Sequence, residues 1–189
     1  MTTALDERVR ALLDAGDHGQ AATEAIRALG PAVLRYLRTL LRDEADASDA
    51  FSYWAESVWS GLPAFRGVAP LRTWALRIAY HAALGVLDEA WRRRVRPFAT
   101  GEASRLAETL RTASAVRVER QRRKLDAVIG KLSAEQQTLL SLRVDQGLSW
   151  EDIADVLSTD GRRVDAATLA KRYERLKARL AAELSRNDE

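Results

Sequence analysis

Residues 61–83, "GLPAFRGVAPLRTWALRIAYHAA", hold Arg66, Arg72, Arg77 and His81 among Phe65, Trp74 and Tyr80. They contain no Asp or Glu, and the acid-free window extends from Ser57 to Leu87. Arginines interleaved with aromatic rings suit a single-stranded nucleic acid, because guanidinium groups track phosphates while rings stack on splayed bases. Thr73, Arg77 and His81 follow one another at i, i+4 and i+8, so a helix lines them up in one row. Arg66 and Arg72 lie just upstream. The plainer alternative makes Trp74 and Phe65 ordinary core and the arginines ordinary surface. The missing acids argue against it for the segment as a whole.

Two further sets of residues have a spacing that could do chemistry. Asp46, Asp49, Tyr53 and Glu56 share one helical face with Ser60, which reads either as a solvated acidic stripe or as a dock for a basic partner. Near the C-terminus, Thr168, Lys171, Arg172, Arg175 and Arg179 occupy one arc of a helix, and Arg162 and Arg163 stand in the turn before it. Arg bonds a guanine edge bidentately, and Lys or Arg neutralises phosphate. Catalysis has no comparable support: there is no nucleophile–base pair, no metal-ligand cluster and no glycine-rich phosphate loop. Cys is absent, and His18 and His81 lie far apart. The expectation is a protein that is not an enzyme and needs no cofactor.

The elements that must position these residues read as helices throughout. Pro is scarce, Ala, Leu and Arg abound, and nothing alternates with period 2. A first helix fits Leu5–Ala15, stopped at Gly16. Helical signal then runs to about Arg42, and Gly30-Pro31 is expected to kink or break it. Residues 46–60 form the next helix, with Phe51, Trp54, Ala55, Val58 and Leu62 toward the core. Pro70 suits the first turn of another, whose core face reads as Leu71, Trp74, Ala75, Ile78 and Ala82. "WRRRVRPF", residues 91–98, closes this region with a basic cluster.

After a polar connector the local grammar sharpens. Leu125, Val128, Ile129 and Leu132 are spaced as a helix face. Ser133 with Gln136 makes a capping box for a helix ending at Gly147, and Ser149 with Asp152 opens the short helix "WEDIADVL". Asp165 caps a last helix from about Ala166 to Leu184, with Leu169, Tyr173, Leu176, Leu180 and Leu184 inward. Two capped helices joined by a turn, the second one basic, form a helix-turn-helix. The expected fold is all-α: a helical domain over 1–97, a linker over 98–122 and a helix-turn-helix domain over 123–189.

The net charge of +3 is unevenly spread. Residues 1–56 hold 6 Arg against 10 Asp and Glu, and residues 57–101 hold 7 Arg against 2 acids. A basic middle and an acidic beginning imply two kinds of partner. The polar start, "MTTALDERVR", and the lack of any long apolar run give a cytoplasmic expectation.

"LPAFRGVAPLRTWALRIA" and "GLSWEDIADVL…ATLAKRYERLKARL" resemble the second and fourth conserved regions of bacterial sigma-70 family factors. The two-domain size is similar to the extracytoplasmic-function group. The resemblance covers residues 25–97 and 123–184. It implies that the first domain binds RNA polymerase core and melts the minus-ten promoter element, and that the second reads the minus-thirty-five element as duplex. Carried over by position, Asp46 and Asp49 face the polymerase, with Tyr53 and Glu56 on the same side. Phe65, Arg66 and Gly67 match the loop that captures a flipped base. Thr73, Trp74, Arg77 and His81 match the strand-facing helix, and Thr168, Lys171 and Arg172 the start of the duplex-reading helix. An anti-sigma protein is a further partner that the family admits. Ser52, Tyr53 and Ala55 stand where the family usually has a Gln-Glu pair and a Phe; His81 replaces an Asn; Asp88 and Glu89 fall where it is commonly basic. With a turn before the last helix some five residues longer than usual, the chain reads as a divergent member. A helix-turn-helix regulator that never meets polymerase, and a helical adaptor for acidic proteins, are the other two readings of the same residues.

Overall fold

A computed structural model describes residues 3–88, 131–158 and 163–186, all of its regular structure helical. The described residues fall into two compact units, within Met1–Val116 and Arg117–Glu189. The basic cluster at 91–98, the expected linker at 98–122 and the face of Leu125, Val128 and Ile129 lie outside the described residues.

In the first unit α1 (Ala4–Asp14) starts on a capping box, in which Thr3 Oγ1 accepts the Asp6 N–H and Asp6 accepts the Thr3 N–H. Gly16, at φ +76°, turns the chain out of it. α2 (His18–Leu41) continues through Pro31 as one helix, so the expected break does not occur. An interior proline costs about 3 kcal/mol. Twelve buried residues of α2, including Ile26, Leu34, Tyr36 and Leu37, supply packing that outweighs this cost.

α3 (Glu44–Gly61) is capped by Asp43, whose side chain accepts the Asp46 N–H, and it buries Phe51, Trp54, Ala55 and Val58 as the spacing predicts. A short 3-10 turn (Leu62–Ala64) and a loop lead to α4 (Leu71–Leu87). Trp54 is fully buried; its ring stacks on Phe51 at 5.2 Å, and its indole N–H donates to the Ala75 carbonyl of α4 at 2.9 Å. α4 packs against both α2 and α3, so its buried arc is broader than a single stripe. It takes in Thr73, Leu76, Ala79, Tyr80 and Ala83 beside the expected Leu71, Ala75 and Ala82, while Trp74 and Ile78 are only half-buried.

The second unit follows its caps. α5 (Ala134–Val144) carries the Ser133–Gln136 capping box and stops three residues before Gly147. α6 (Trp150–Leu157) begins where Ser149 Oγ accepts the Asp152 N–H at 3.1 Å. α7 (Ala166–Arg186) begins where Asp165 accepts the Thr168 N–H at 2.8 Å. α7 packs on α5 and α6, and Leu142, Ile153, Leu169 and Leu176 fill the core. Tyr173, expected inward, is half-buried and meets Trp150 edge-on at 5.4 Å. Arg143 lies over the Trp150 ring, 4.6 Å from its centre, and donates to the Leu148 carbonyl. This fixes the turn between α5 and α6.

Candidate nucleic-acid interface

The acid-free stretch begins at the end of α3 and crosses a loop before entering α4. Phe65 leaves the 3-10 turn in extended conformation, and its ring packs on Trp74 at 5.1 Å. The far edge of the Trp74 indole lies so close to Gly61 that a Cβ there would sit 3.3 Å from Cζ2. Trp74 therefore joins the loop to the end of α3 and keeps only part of its ring open. Arg66 and Arg77 are exposed and make no ion pair with any described residue; Arg72 is exposed in the first turn of α4. Thr73 is 2% exposed. It belongs to the core, so the expected row is broken at its first member. His81 is half-buried with its ring 5.7 Å from Tyr80. The unit thus presents guanidinium groups around one partly open indole, which is the chemistry for holding a phosphate chain with an unstacked base.

The loop is braced from a distance. Pro70 offers no side-chain cap to α4. The Leu71 N–H donates instead to Asp6 Oδ1 of α1 at 2.7 Å, across 65 residues of chain. Burial acts to raise the Asp6 carboxyl, but the bonds from the Thr3 hydroxyl, the Leu71 N–H and the Thr3 N–H outweigh it and hold the group below its ordinary 3.8. Gly67 adopts φ +68°, and a Cβ on it would collide with Arg10 Nη2 of α1. A cleft of about 210 Å³ lies between α1 and this loop, with Asp6, Arg10 and Phe65 among its walls. Sequence reasoning missed Asp6 and Arg10. The Thr3–Asp6 spacing announces a cap for α1, but nothing local announces that the same carboxylate reaches α4.

On α3, Asp46, Asp49, Tyr53 and Glu56 do share a face. Asp49 is exposed, Tyr53 is 38% exposed, and Asp46 and Glu56 are half-buried. Asp46 also sits in the first turn, where a carboxylate suits the helix dipole.

In the second unit Thr168, Lys171, Arg172, Arg175 and Arg179 are all exposed on α7, and Arg163 is exposed before it. Arg162 lies outside the described residues. Arg172 is not idle: it pairs with Glu135 of α5 at 2.6 Å. The Thr168 N–H first, then its hydroxyl and the Lys171 charge, hold Asp165 below its ordinary carboxylate value. Among the described residues no group of three or more His, Asp or Glu is arranged to hold a metal ion, and no helix is long and apolar enough to cross a membrane.

Residues 25–96 match the family model described as Sigma-70 region 2. The match begins within α2 and takes in α3, the loop and α4, and so contains both the acidic face and the acid-free stretch. No curated protein and no solved structure matches the chain. Through residues 25–96 the chain is thus similar to sigma-70 region 2, and that match supports a sigma-70 family sigma factor.

Proposed function

We propose that the chain is a sigma factor of extracytoplasmic-function type that divides promoter reading between its two units. The region 2 unit docks on core polymerase through the acidic face of α3 and holds the melted minus-ten strand on the acid-free surface. The second unit lays α7 in the major groove of the minus-thirty-five element, with Arg172 and Arg175 aimed at base edges and Arg163 at phosphate. One observation carries the reading. The matched segment contains a surface without acids, on which Arg66 and Arg77 stand exposed and without ion pairs among the described residues, beside a half-open Trp74.

In vitro transcription with core polymerase and genomic fragments tests it. The expected result is a discrete set of start sites that depend on this protein, sharing one minus-ten and one minus-thirty-five sequence. A free protein that forms a nanomolar, sequence-specific complex with duplex DNA and adds no start sites would be a helix-turn-helix regulator instead.

A further inference from the structure

α1 lies outside the segment that matches region 2, yet it touches the acid-free surface at two points. Its Asp6 carboxylate accepts the first N–H of α4, and its Arg10 guanidinium rests where a side chain at residue 67 would otherwise go. Between these two points runs the loop from Arg66 to Pro70, with Val68 at 94% exposure. A loop that projects this far has few contacts of its own to fix its shape. The glycine at φ +68° sets the bend, and the two α1 side chains set its base. Asp6 is itself locked by Thr3, so the carboxylate is aimed before α4 arrives. Arg10 is exposed and makes no ion pair among the described residues, so its charge is not spent on a neighbour in α1. Arg66 and Arg72 flank this braced turn, and any movement of the loop moves them.

We infer that α1 is a working part of the DNA-facing site, with Asp6 and Arg10 as positioning residues that hold the 66–70 loop and the first turn of α4 in the shape that meets the separated strand. Neither residue has to touch DNA for this. The inference rests on the proposed sigma function and adds to it an element that the family match does not include. A Gly67→Ala variant bears on the same contact: its Cβ has to displace the Arg10 guanidinium, so substitutions at the two positions are coupled.

The test uses holoenzyme assembled from core polymerase and the full chain, on a linear promoter and on one with a pre-formed bubble at the minus-ten element. Strand opening is read from a fluorescent base. Asp6→Ala and Arg10→Ala are each expected to slow opening of the linear promoter about fivefold or more, with core binding unchanged. The bubble template should remove most of the defect. Asp6→Asn keeps an acceptor for the Leu71 N–H and is expected to restore opening, since Asn caps helices about as well as Asp. Gly67→Ala and Arg10→Ala together should cost less than the product of the two separate effects. Because Asp6→Ala removes a cap, thermal unfolding is followed in parallel; Arg10→Ala, at an exposed position, keeps the test decisive if Asp6→Ala is poorly folded. Wild-type rates in Arg10→Ala and in folded Asp6→Ala overturn the inference alone. A wild-type holoenzyme that opens no promoter overturns the sigma reading and this inference with it.

Discussion

Trp54 shows how one side chain sets what its neighbours can do. It is fully buried at the meeting of α3 and α4, and its indole N–H is satisfied by Ala75. Trp54→Ala should destabilise the protein by about 3–5 kcal/mol, read as the free energy of chemical unfolding, because a large cavity opens where two helices meet. A loss under about 1 kcal/mol would mean that the helices close over the gap. At the positions proposed to face DNA the sequence is a poorer guide. Trp54 and Phe51 were legible as core from their spacing alone. Thr73 was not, because α4 packs on two helices and its buried arc widens past any single stripe. Trp74 divides itself between packing and exposure, which no periodicity can express. On α7, the Arg172–Glu135 pair is half-exposed and contributes at most about 1 kcal/mol to stability. Its effect on DNA should be larger. Arg172→Ala in holoenzyme should cost about 1–3 kcal/mol on a minus-thirty-five duplex and relax selectivity at one position. Glu135→Gln, which releases the arginine, should tighten the same complex. Fluorescence anisotropy measures both, and an unchanged affinity in both variants would remove Arg172 from the reading helix.

At the scale of elements, the helix starts were the most readable feature. Ser133, Ser149 and Asp165 each cap the helix their spacing announces, because a cap is a contact over three residues and lies wholly in local sequence. The cap of α4 was invisible for the opposite reason: its donor and acceptor are 65 residues apart. The break expected at Pro31 does not occur, because packing along α2 outweighs one lost hydrogen bond. These carboxylate caps carry a pH signature. Asp6 and Asp165 are both held below the ordinary 3.8, so their stabilising bonds are fully present above that value and are lost as pH falls through the lowered folded values. Helicity followed by circular dichroism should stay flat from pH 7 to about 5 and fall below about 4. In Asp6→Asn and Asp165→Asn together the acid limb should be shallower. α3 supplies its own test. Asp49→Arg leaves the buried side of the helix untouched and should abolish co-purification with core polymerase while leaving the unfolding temperature unchanged. Undiminished binding would mean that another surface docks.

On the proposed reading, DNA contacts are divided between two small units, with only a handful of proposed contact residues in each. Weak promoter binding by the free protein is therefore expected, and strong binding only with core present. Because phosphate contacts release counterions, raising salt from about 50 to 200 mM should weaken the holoenzyme complex by an order of magnitude or more. Filter binding across a salt series, with and without core, reads this directly; salt-independent binding would exclude a phosphate-gripping surface. The charge distribution behind this expectation, acidic first and basic in the middle, was open to counting.

The bond from Leu71 to Asp6 also bears on how the first unit is made. Synthesis delivers α1 first, and its carboxylate waits through 65 residues for its amide partner. Closing so long a span costs only about 0.6 kcal/mol more than closing one half as long, so the delay is one of order rather than of energy. α2 and α3 can pair while the ribosome is still adding chain, but the unit is finished only when α4 docks and its first amide meets Asp6. Afterwards, the solvent exchange of that single proton reports whether α1 is seated. Its protection should be lost by local lift-off of α1, at a lower free energy than the opening of the Trp54 core.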